Sequence, residues 1–385
     1  MADNNVLEQM YKCLRCGWCR DLVQGNTNRV CPAREVSGFE SACSRGRIML
    51  ARGIVEGQIE YTPELINHLY TCFGCGMCEE HCPLEVETLS IFRWMREEVV
   101  RLNLDVPEGV HATNKTVEEY GNPFGLAHAQ RGKWARDLGL PAKGAVVYFT
   151  GCYESYRSTK VARESVKILQ EIGNTPAYLG EEELCCGVPQ IWNGSTFLAR
   201  ELAERNVDAL QKAGAETVIF TCAGCYNAFK KYYPELLGDA LPFKTAHVTE
   251  LFADKIAQGE LELPAIENGV KVTYHDPCHL GRHLGVYEPP RTILRQLYPE
   301  SFVEMARNKE NAWCCGGGGI VFSLFKELTD QVAATRAAEA EATGAGLIVS
   351  TCPTCLNILR LPAQRLRIRV DNIISQMAKA MEIKA

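Results

Sequence analysis

Between Cys152 and Cys355 the chain sets out the same five-thiol figure twice: a lone Cys, a Cys-Cys-Gly and a Cys-x-x-Cys. The first copy is Cys152, Cys185-Cys186-Gly187 and Cys222-x-x-Cys225, with 32 and 35 residues in its long gaps. The second is Cys278, Cys314-Cys315-Gly316 and Cys352-x-x-Cys355, with gaps of 35 and 36. Repetition on that scale marks a duplicated supersecondary unit. Thiolates are soft metal ligands, and each copy supplies more of them than one tetrahedral zinc accepts. The chemistry implied is that of a sulfur-bound cofactor.

The N-terminal part uses a different spacing. Cys72-x2-Cys75-x2-Cys78-x3-Cys82-Pro83 is the run of bacterial ferredoxins, in which three close thiolates hold one 4Fe–4S cube and the fourth ligates the other. Its partner is Cys13-x2-Cys16-x2-Cys19, followed after 11 intervening residues by Cys31-Pro32. The usual short gap is stretched by residues 21–29, whose polar Gln24-Gly25-Asn26-Thr27-Asn28 reads as a loop. Crossed ligation then assigns Cys13, Cys16, Cys19 and Cys82 to one cube and Cys72, Cys75, Cys78 and Cys31 to the other. Cys43 is the rival for the displaced fourth position. Cys31 is preferred because proline follows it. Paired zinc sites are the competing reading of such Cys-x2-Cys spacing, but x2-spaced triplets ending in Cys-Pro are unusual for zinc.

Three residues near the second lone cysteine could act on a substrate. His279, Arg282 and His283 lie in His275-Asp276-Pro277-Cys278-His279-Leu280-Gly281-Arg282-His283, as proton donors or an anion anchor. The alternative is that they hydrogen-bond the loop and tune a cofactor from outside its ligands, the role expected of Asp276. Gly187 and Gly316 are expected to let backbone N–H groups approach cofactor sulfur. The run Gly316-Gly317-Gly318-Gly319 lacks the spacing and the following Lys-Ser or Lys-Thr of a phosphate loop. The contrast with the lone Gly187 suggests that the second site is more open or more mobile.

These residues need elements to position them. From residue 144 onward short apolar strands alternate with helices: strands at 145–150, 217–221, 270–275 and 347–351, helices at 159–172 and 325–343. That alternation predicts parallel sheets covered by helices. Cys152, Cys222, Cys278 and Cys352 then fall beyond the carboxyl ends of strands, where ligands of open α/β sheets collect and helix N-termini favour thiolate. The N-terminal part reads as helical, with Ile91, Trp94, Met95, Val99 and Leu102 at helical spacing as core packing.

The expected fold class is therefore a helical two-cluster ferredoxin-like domain followed by a duplicated α/β domain with parallel sheets. The expected units are 1–102, a connecting arm at 103–143, and repeats at 144–262 and 263–385. The arm is read as turn-rich, through Gly121-Asn122-Pro123-Phe124-Gly125, with Arg131, Lys133 and Arg136 on a solvated face. The stretch from Val370 to Ile383 is read as helical and packed on its own domain.

Composition bounds the setting. A chain of 385 residues with 46% hydrophobic content builds proper cores without disulfide staples, so its 19 cysteines read as reduced, intracellular thiols. A cytoplasmic location follows as the expectation, with any membrane association coming through a partner. The net charge of −6 argues against a broad nucleic-acid surface, and the apolar runs are strand-sized rather than membrane-spanning.

Two ferredoxin-type runs followed by two Cys-Cys-Gly figures resemble the D-type family of heterodisulfide reductase subunits, a fusion of a ferredoxin-type and a Cys-Cys-Gly subunit. The resemblance spans nearly the whole chain, including His275-Asp276-Pro277-Cys278-His279 and Gly121-Asn122-Pro123-Phe124-Gly125. It implies two cubane 4Fe–4S clusters and two noncubane 4Fe–4S clusters. One noncubane cluster would be held by Cys152, Cys185, Cys186, Cys222 and Cys225, the other by Cys278, Cys314, Cys315, Cys352 and Cys355. It further implies cleavage of a disulfide between the paired clusters, or alternatively a pure electron relay within a larger complex. The partners implied are flavoprotein, ferredoxin-like or cytochrome redox subunits.

Overall fold

The computed structural model describes residues 4–21, 29–267 and 269–384. The loop expected at 21–29 lies almost wholly outside them. The N-terminal part is helical: Asn4–Lys12, Pro32–Ser37, Ser44–Val55, Pro63–Leu69 and Thr88–Arg101. Ile91, Met95 and Val99 of the last helix are buried in the core it shares with the first and third. Their four-residue spacing puts them on one face of the helix, toward that core.

Two three-stranded parallel sheets follow, each in sequence order. The first contains β1 (Val146–Phe149), β2 (Thr217–Phe220) and β3 (Lys244–His247), the second β4 (Lys271–Tyr274), β5 (Ala345–Ser350) and β6 (Arg369–Asn372). The register pairs Val147 with Val218 and Val218 with Thr245, and in the second sheet Val272 with Leu347 and Leu347 with Arg369. The expectation of parallel sheets in a duplicated α/β unit holds. β3 and β6 carry polar residues, Lys-Thr-Ala-His and Arg-Val-Asp-Asn, and offer no apolar run by which a strand is recognised. β6 also takes the start of the stretch read as helical from Val370; the helix begins only at Ile373, with Asn372 as its cap.

The two copies pack in a reciprocal way. Helix Thr159–Glu171 of the first lies on the last helix of the second, Ile373–Ala380, and Val248–Ala257 of the first lies on Glu288–Leu297 of the second. Each copy's post-β helix therefore meets the other copy's closing helix, the pattern of a two-fold contact made within one chain. Ile373, Ile374 and Met377 are buried in that shared core with Val166, Leu169 and Leu294.

The arm departs from expectation. Instead of turns alone it holds a 13-residue helix, Glu108–Tyr120. Only Val110 and Val117 of that helix are buried, a stripe too sparse to signal a helix in sequence. Arg131 is not on a solvated face either: its side chain is 0% exposed and bonded to Glu183 Oε1 at 2.6 Å.

Candidate functional site

All 19 cysteines are free thiols. Cys31, Cys72, Cys75 and Cys78 line one small space in the N-terminal domain, together with Arg47 and Phe92. Cys13, Cys16, Cys19 and Cys82 line a second, with Leu14, Trp18 and Arg45. Cys78 borders both. Cys43, the alternative for the position of Cys31, lies elsewhere: its thiol donates to Glu40 O at 3.1 Å and hydrogen-bonds Cys19. The proline after Cys31 opens helix Pro32–Ser37 at a position where its missing N–H is of no consequence.

The two copies of the five-thiol figure meet at one cavity of about 280 Å³. Cys152, Cys185, Cys186, Cys222 and Cys225 line it from one side, and Cys278, Cys315, Cys352 and Cys355 from the other. Strand ends aim them there: Cys152 follows β1, Cys222 follows β2, Cys278 follows β4 and Cys352 follows β5. Cys222 and Cys352 are also the N-caps of the helices that begin at Ala223 and Pro353, where free N–H groups favour negative sulfur. Cys314 is the exception. Its thiol contacts Cys75 of the N-terminal domain, which joins the second copy directly to the Cys31 set.

The glycine run makes that junction close. A Cβ on Gly318 would lie 2.2 Å from Phe73 O, and one on Gly319 2.2 Å from Cys72 O. Gly316 takes φ +89° and donates its N–H to Cys314 Sγ at 3.3 Å, while Gly317 N–H reaches Cys315 Sγ at 3.3 Å. The expected approach of backbone N–H to sulfur is present at Gly316 and also at Gly187, which hydrogen-bonds Cys185, takes φ +77° and caps helix Val188–Asn193. Gly318 and Gly319 of the second site are wedged against the N-terminal domain. The next residue, Ile320, is held at φ +59°, a conformation costly for a β-branched side chain.

Arg96 ties the three parts together. Its guanidinium, 1% exposed, donates to Leu69 O, to Cys72 O at 2.8 Å, to Trp192 O at 2.6 Å and to Gly319 O at 3.0 Å. Nothing in its helical position distinguishes it in sequence from a surface arginine. Arg131 reaches Cys152 Sγ at 3.3 Å, and its partner Glu183 accepts from Thr150 N and Gly151 N at 2.8 and 2.9 Å. Glu154 is wholly buried with both carboxyl oxygens unpartnered among the described residues. Burial pushes its carboxyl up to about 8, so it carries a proton at neutral pH.

Of the three candidate substrate-facing residues, His279 lines the cavity, and burial holds its imidazole down to about 4. Arg282 turns to the N-terminal domain, donating to Cys75 O at 2.8 Å and Ala312 O at 2.6 Å. His283 packs by Gly76 and meets Asn227 Nδ2 at 3.2 Å. Asp276 is bonded to Arg291 at 2.7 and 2.9 Å and accepts from Lys309 N, a loop-holding role. The arm supplies part of the wall: buried Asn122 donates to Tyr120 O and Leu126 O and accepts from Phe124 N at 3.0 Å, fixing Pro123 and Phe124 at the cavity.

The donor sets suit iron–sulfur clusters. Soft thiols converge in sets of four and five, and Gly151 leaves room that a Cβ would fill at 2.8 Å from Cys225 Sγ.

The chain matches the cysteine-rich domain family twice, over residues 146–230 and 272–360, and the 4Fe–4S dicluster domain family over residues 9–86. It is 34% identical to the D subunit of the dihydromethanophenazine:CoB–CoM heterodisulfide reductase of Methanosarcina barkeri, over 97% of this chain and 95% of that one. It is 32% identical to the EtfAB:quinone oxidoreductase of Syntrophomonas wolfei, over 76% of this chain and 43% of the relative. Among solved structures, a hypothetical protein from Helicobacter pylori shares the fold, with a TM-score of 0.59 at 10% identity, covering 88% of this chain and 68% of that one.

Proposed function

Because the chain belongs to the D-type family of heterodisulfide reductase subunits, we propose that it carries two cubane and two noncubane 4Fe–4S clusters and reduces a disulfide in the cavity shared by its two repeats. The observation that carries this reading is the convergence of thiols from both copies on one cavity. Cys13, Cys16, Cys19 and Cys82 would hold one cubane and Cys31, Cys72, Cys75 and Cys78 the other. The five-thiol sets Cys152, Cys185, Cys186, Cys222, Cys225 and Cys278, Cys314, Cys315, Cys352, Cys355 would hold the noncubane pair. Bound there, such clusters supply electrons one at a time, and two together match the two-electron demand of a disulfide.

The chain's own contacts favour an order. Cys16 is the exposed member of its set, between Leu14 at 73% and Trp18 at 39% exposure, and offers the face at which a partner delivers electrons. Cys78 borders both N-terminal sets, and Cys75 touches Cys314 of the second repeat. The second repeat meets the N-terminal domain thiol to thiol, whereas the first meets it through Trp192, which packs on Gly74 and accepts from Arg96. Glu154 is a buried carboxyl close to Cys222 and Cys352 that burial keeps protonated at neutral pH, and the wall between the thiols is largely apolar. His279 is the imidazole in the cavity wall, while Arg282 and His283 secure the seam with the N-terminal domain.

The relative named as a quinone oxidoreductase favours a second reading, in which the same thiol sets relay electrons between partners without turnover in the cavity. Partner subunits of the flavoprotein, ferredoxin-like or cytochrome kind fit either reading. No helix among the described residues is long and apolar enough to cross a membrane; a cytoplasmic location with attachment through a partner is part of the proposal. Anaerobic assay with reduced viologen and a set of disulfides separates the readings: turnover supports reduction, and none with reducible clusters supports the relay. Metal analysis finding mainly zinc removes both.

A further inference from the structure

Beside the second five-thiol set lies a buried imidazole outside the ligand set. His275 follows β4 and is 1% exposed. Its backbone is fixed on both sides: its N–H donates to Val349 O at 2.9 Å and its carbonyl accepts from Ser350 Oγ at 2.9 Å. Its ring is fixed too. Arg336, buried on helix Lys326–Glu341, donates Nε–H to His275 Nδ1 at 3.0 Å, and is itself held by bonds to Arg307 O and Glu339, each of 2.7 Å. A guanidinium has no lone pair to offer, so Nδ1 must accept and the proton of the neutral ring sits on Nε2. That Nε2 meets no hydrogen-bond partner among the described residues, yet it and the Sγ atoms of Cys315 and Cys355 all lie within 4.8 Å of one another. A buried N–H left without a partner is costly, and the acceptors beside this one are sulfur.

The contact with Arg336 decides between two roles. As a metal ligand through Nε2 the ring would have to carry its proton on Nδ1, against the N–H of Arg336. As a donor it keeps both contacts. The first repeat is served differently: its helix carries Asn206, 20 residues after Cys186, where the second carries Arg336, 21 after Cys315, and Asn206 donates to Cys185 O. The donor to sulfur there is the Arg131 guanidinium, on Cys152. We propose that His275 gives its Nε2–H to sulfur of the iron–sulfur group held by the second five-thiol set, with Arg336 as the positioning residue that fixes its tautomer, and that this bond raises the potential of that group alone. The inference rests on the proposed cluster at Cys278, Cys314, Cys315, Cys352 and Cys355. Hydrogen bonds to cluster sulfur stabilise the more negative, reduced state, which raises the potential. The group next to the Cys75–Cys314 seam is thereby the readier acceptor of electrons from the N-terminal domain.

The test is a redox titration of the cluster-loaded protein followed by electron paramagnetic resonance, with Cys355→Ser identifying the signal of the second set by its loss. His275→Phe keeps a ring and removes both nitrogens. At the native midpoint the ratio of reduced to oxidised centre in that signal should fall about tenfold, a downward shift of about 59 mV for one electron, with the iron content and the first-set signal unchanged. His275→Gln, whose amide oxygen accepts from Arg336 while its N–H reaches toward sulfur, should hold the ratio within about twofold of native. In native protein grown with isotopically labelled histidine, pulsed resonance should show a weak nitrogen coupling in the same signal that is missing from His275→Gln. This readout decides alone if His275→Phe fails to load its cluster. A potential unmoved in His275→Phe or equally lowered in both variants, a coupling as strong as that of a directly bound imidazole, or no coupling at all overturns the inference and leaves the proposed clusters standing. No signal beyond those of the two N-terminal cubes in the native protein overturns the proposed clusters and the inference with them.

Discussion

At the scale of single residues, the assignments turn on which thiol stands where. Cys31 shares its space with Cys72, Cys75 and Cys78, whereas Cys43 touches Cys19 and donates a hydrogen bond to Glu40 O. Cys31→Ser should lower the iron content by about a quarter, the share of one cube among four clusters. Cys43→Ser should leave it unchanged, and iron analysis beside the visible spectrum distinguishes the two. The opposite ranking would move the fourth ligand to Cys43. Arg131 poses a different question, because sequence treats it as an exposed cation and the fold buries it between Glu183 and Cys152. Arg131→Gln strands a buried carboxylate, so a loss of about 3–5 kcal/mol is expected in denaturant unfolding. Arg131→Lys should recover part of it, though a lysine cannot reproduce the guanidinium's several bonds.

At the scale of elements, the glycine run is what lets one domain reach another. Gly318 has Phe73 O where its Cβ would be, at 2.2 Å, and a backbone atom cannot swing aside as a side-chain end can. Gly318→Ala should therefore open the seam between the second repeat and the N-terminal domain. The expected signs are a lower melting temperature and slower electron arrival at the cavity clusters, read by rapid-freeze spectroscopy, with the N-terminal cubes reduced at the native rate. Unaltered transfer would mean that the contact of Cys75 with Cys314 is not the route. The arm acts at the same scale: its Asn122-centred loop carries Pro123 and Phe124 to the cavity, so a segment that reads as a connector also walls the site.

Across the whole molecule, the thiol sets run from a solvent-facing end at Cys16 to the cavity between the repeats, and Arg96 clamps the three parts through four backbone carbonyls. Leu14 is 73% exposed beside Cys16, an apolar group on the face where a redox partner would dock. Leu14→Glu should slow reduction by the native partner about tenfold relative to reduction by viologen, the size expected for one contact at an interface. Equal slowing by both donors would relocate the entry point.

The sequence by itself determined the donor inventory. Cysteine spacing is local, and a motif such as Cys72-x2-Cys75-x2-Cys78 carries its geometry within one short stretch of chain, so the sets of four and five could be written down before any fold was known. The alternation of apolar strands and helices likewise foretold the parallel sheets, since periodicity follows directly from which faces are buried. What only the tertiary structure decided depends on residues far apart in the chain. Cys314 against Cys75, Gly318 against Phe73, Arg96 with its four carbonyls and the largely apolar wall of the cavity each join segments that no local pattern relates. Burial has the same origin: Arg131 and Glu154 look like surface residues in one dimension, and become a buried pair member and a protonated acid only when the repeats close around them.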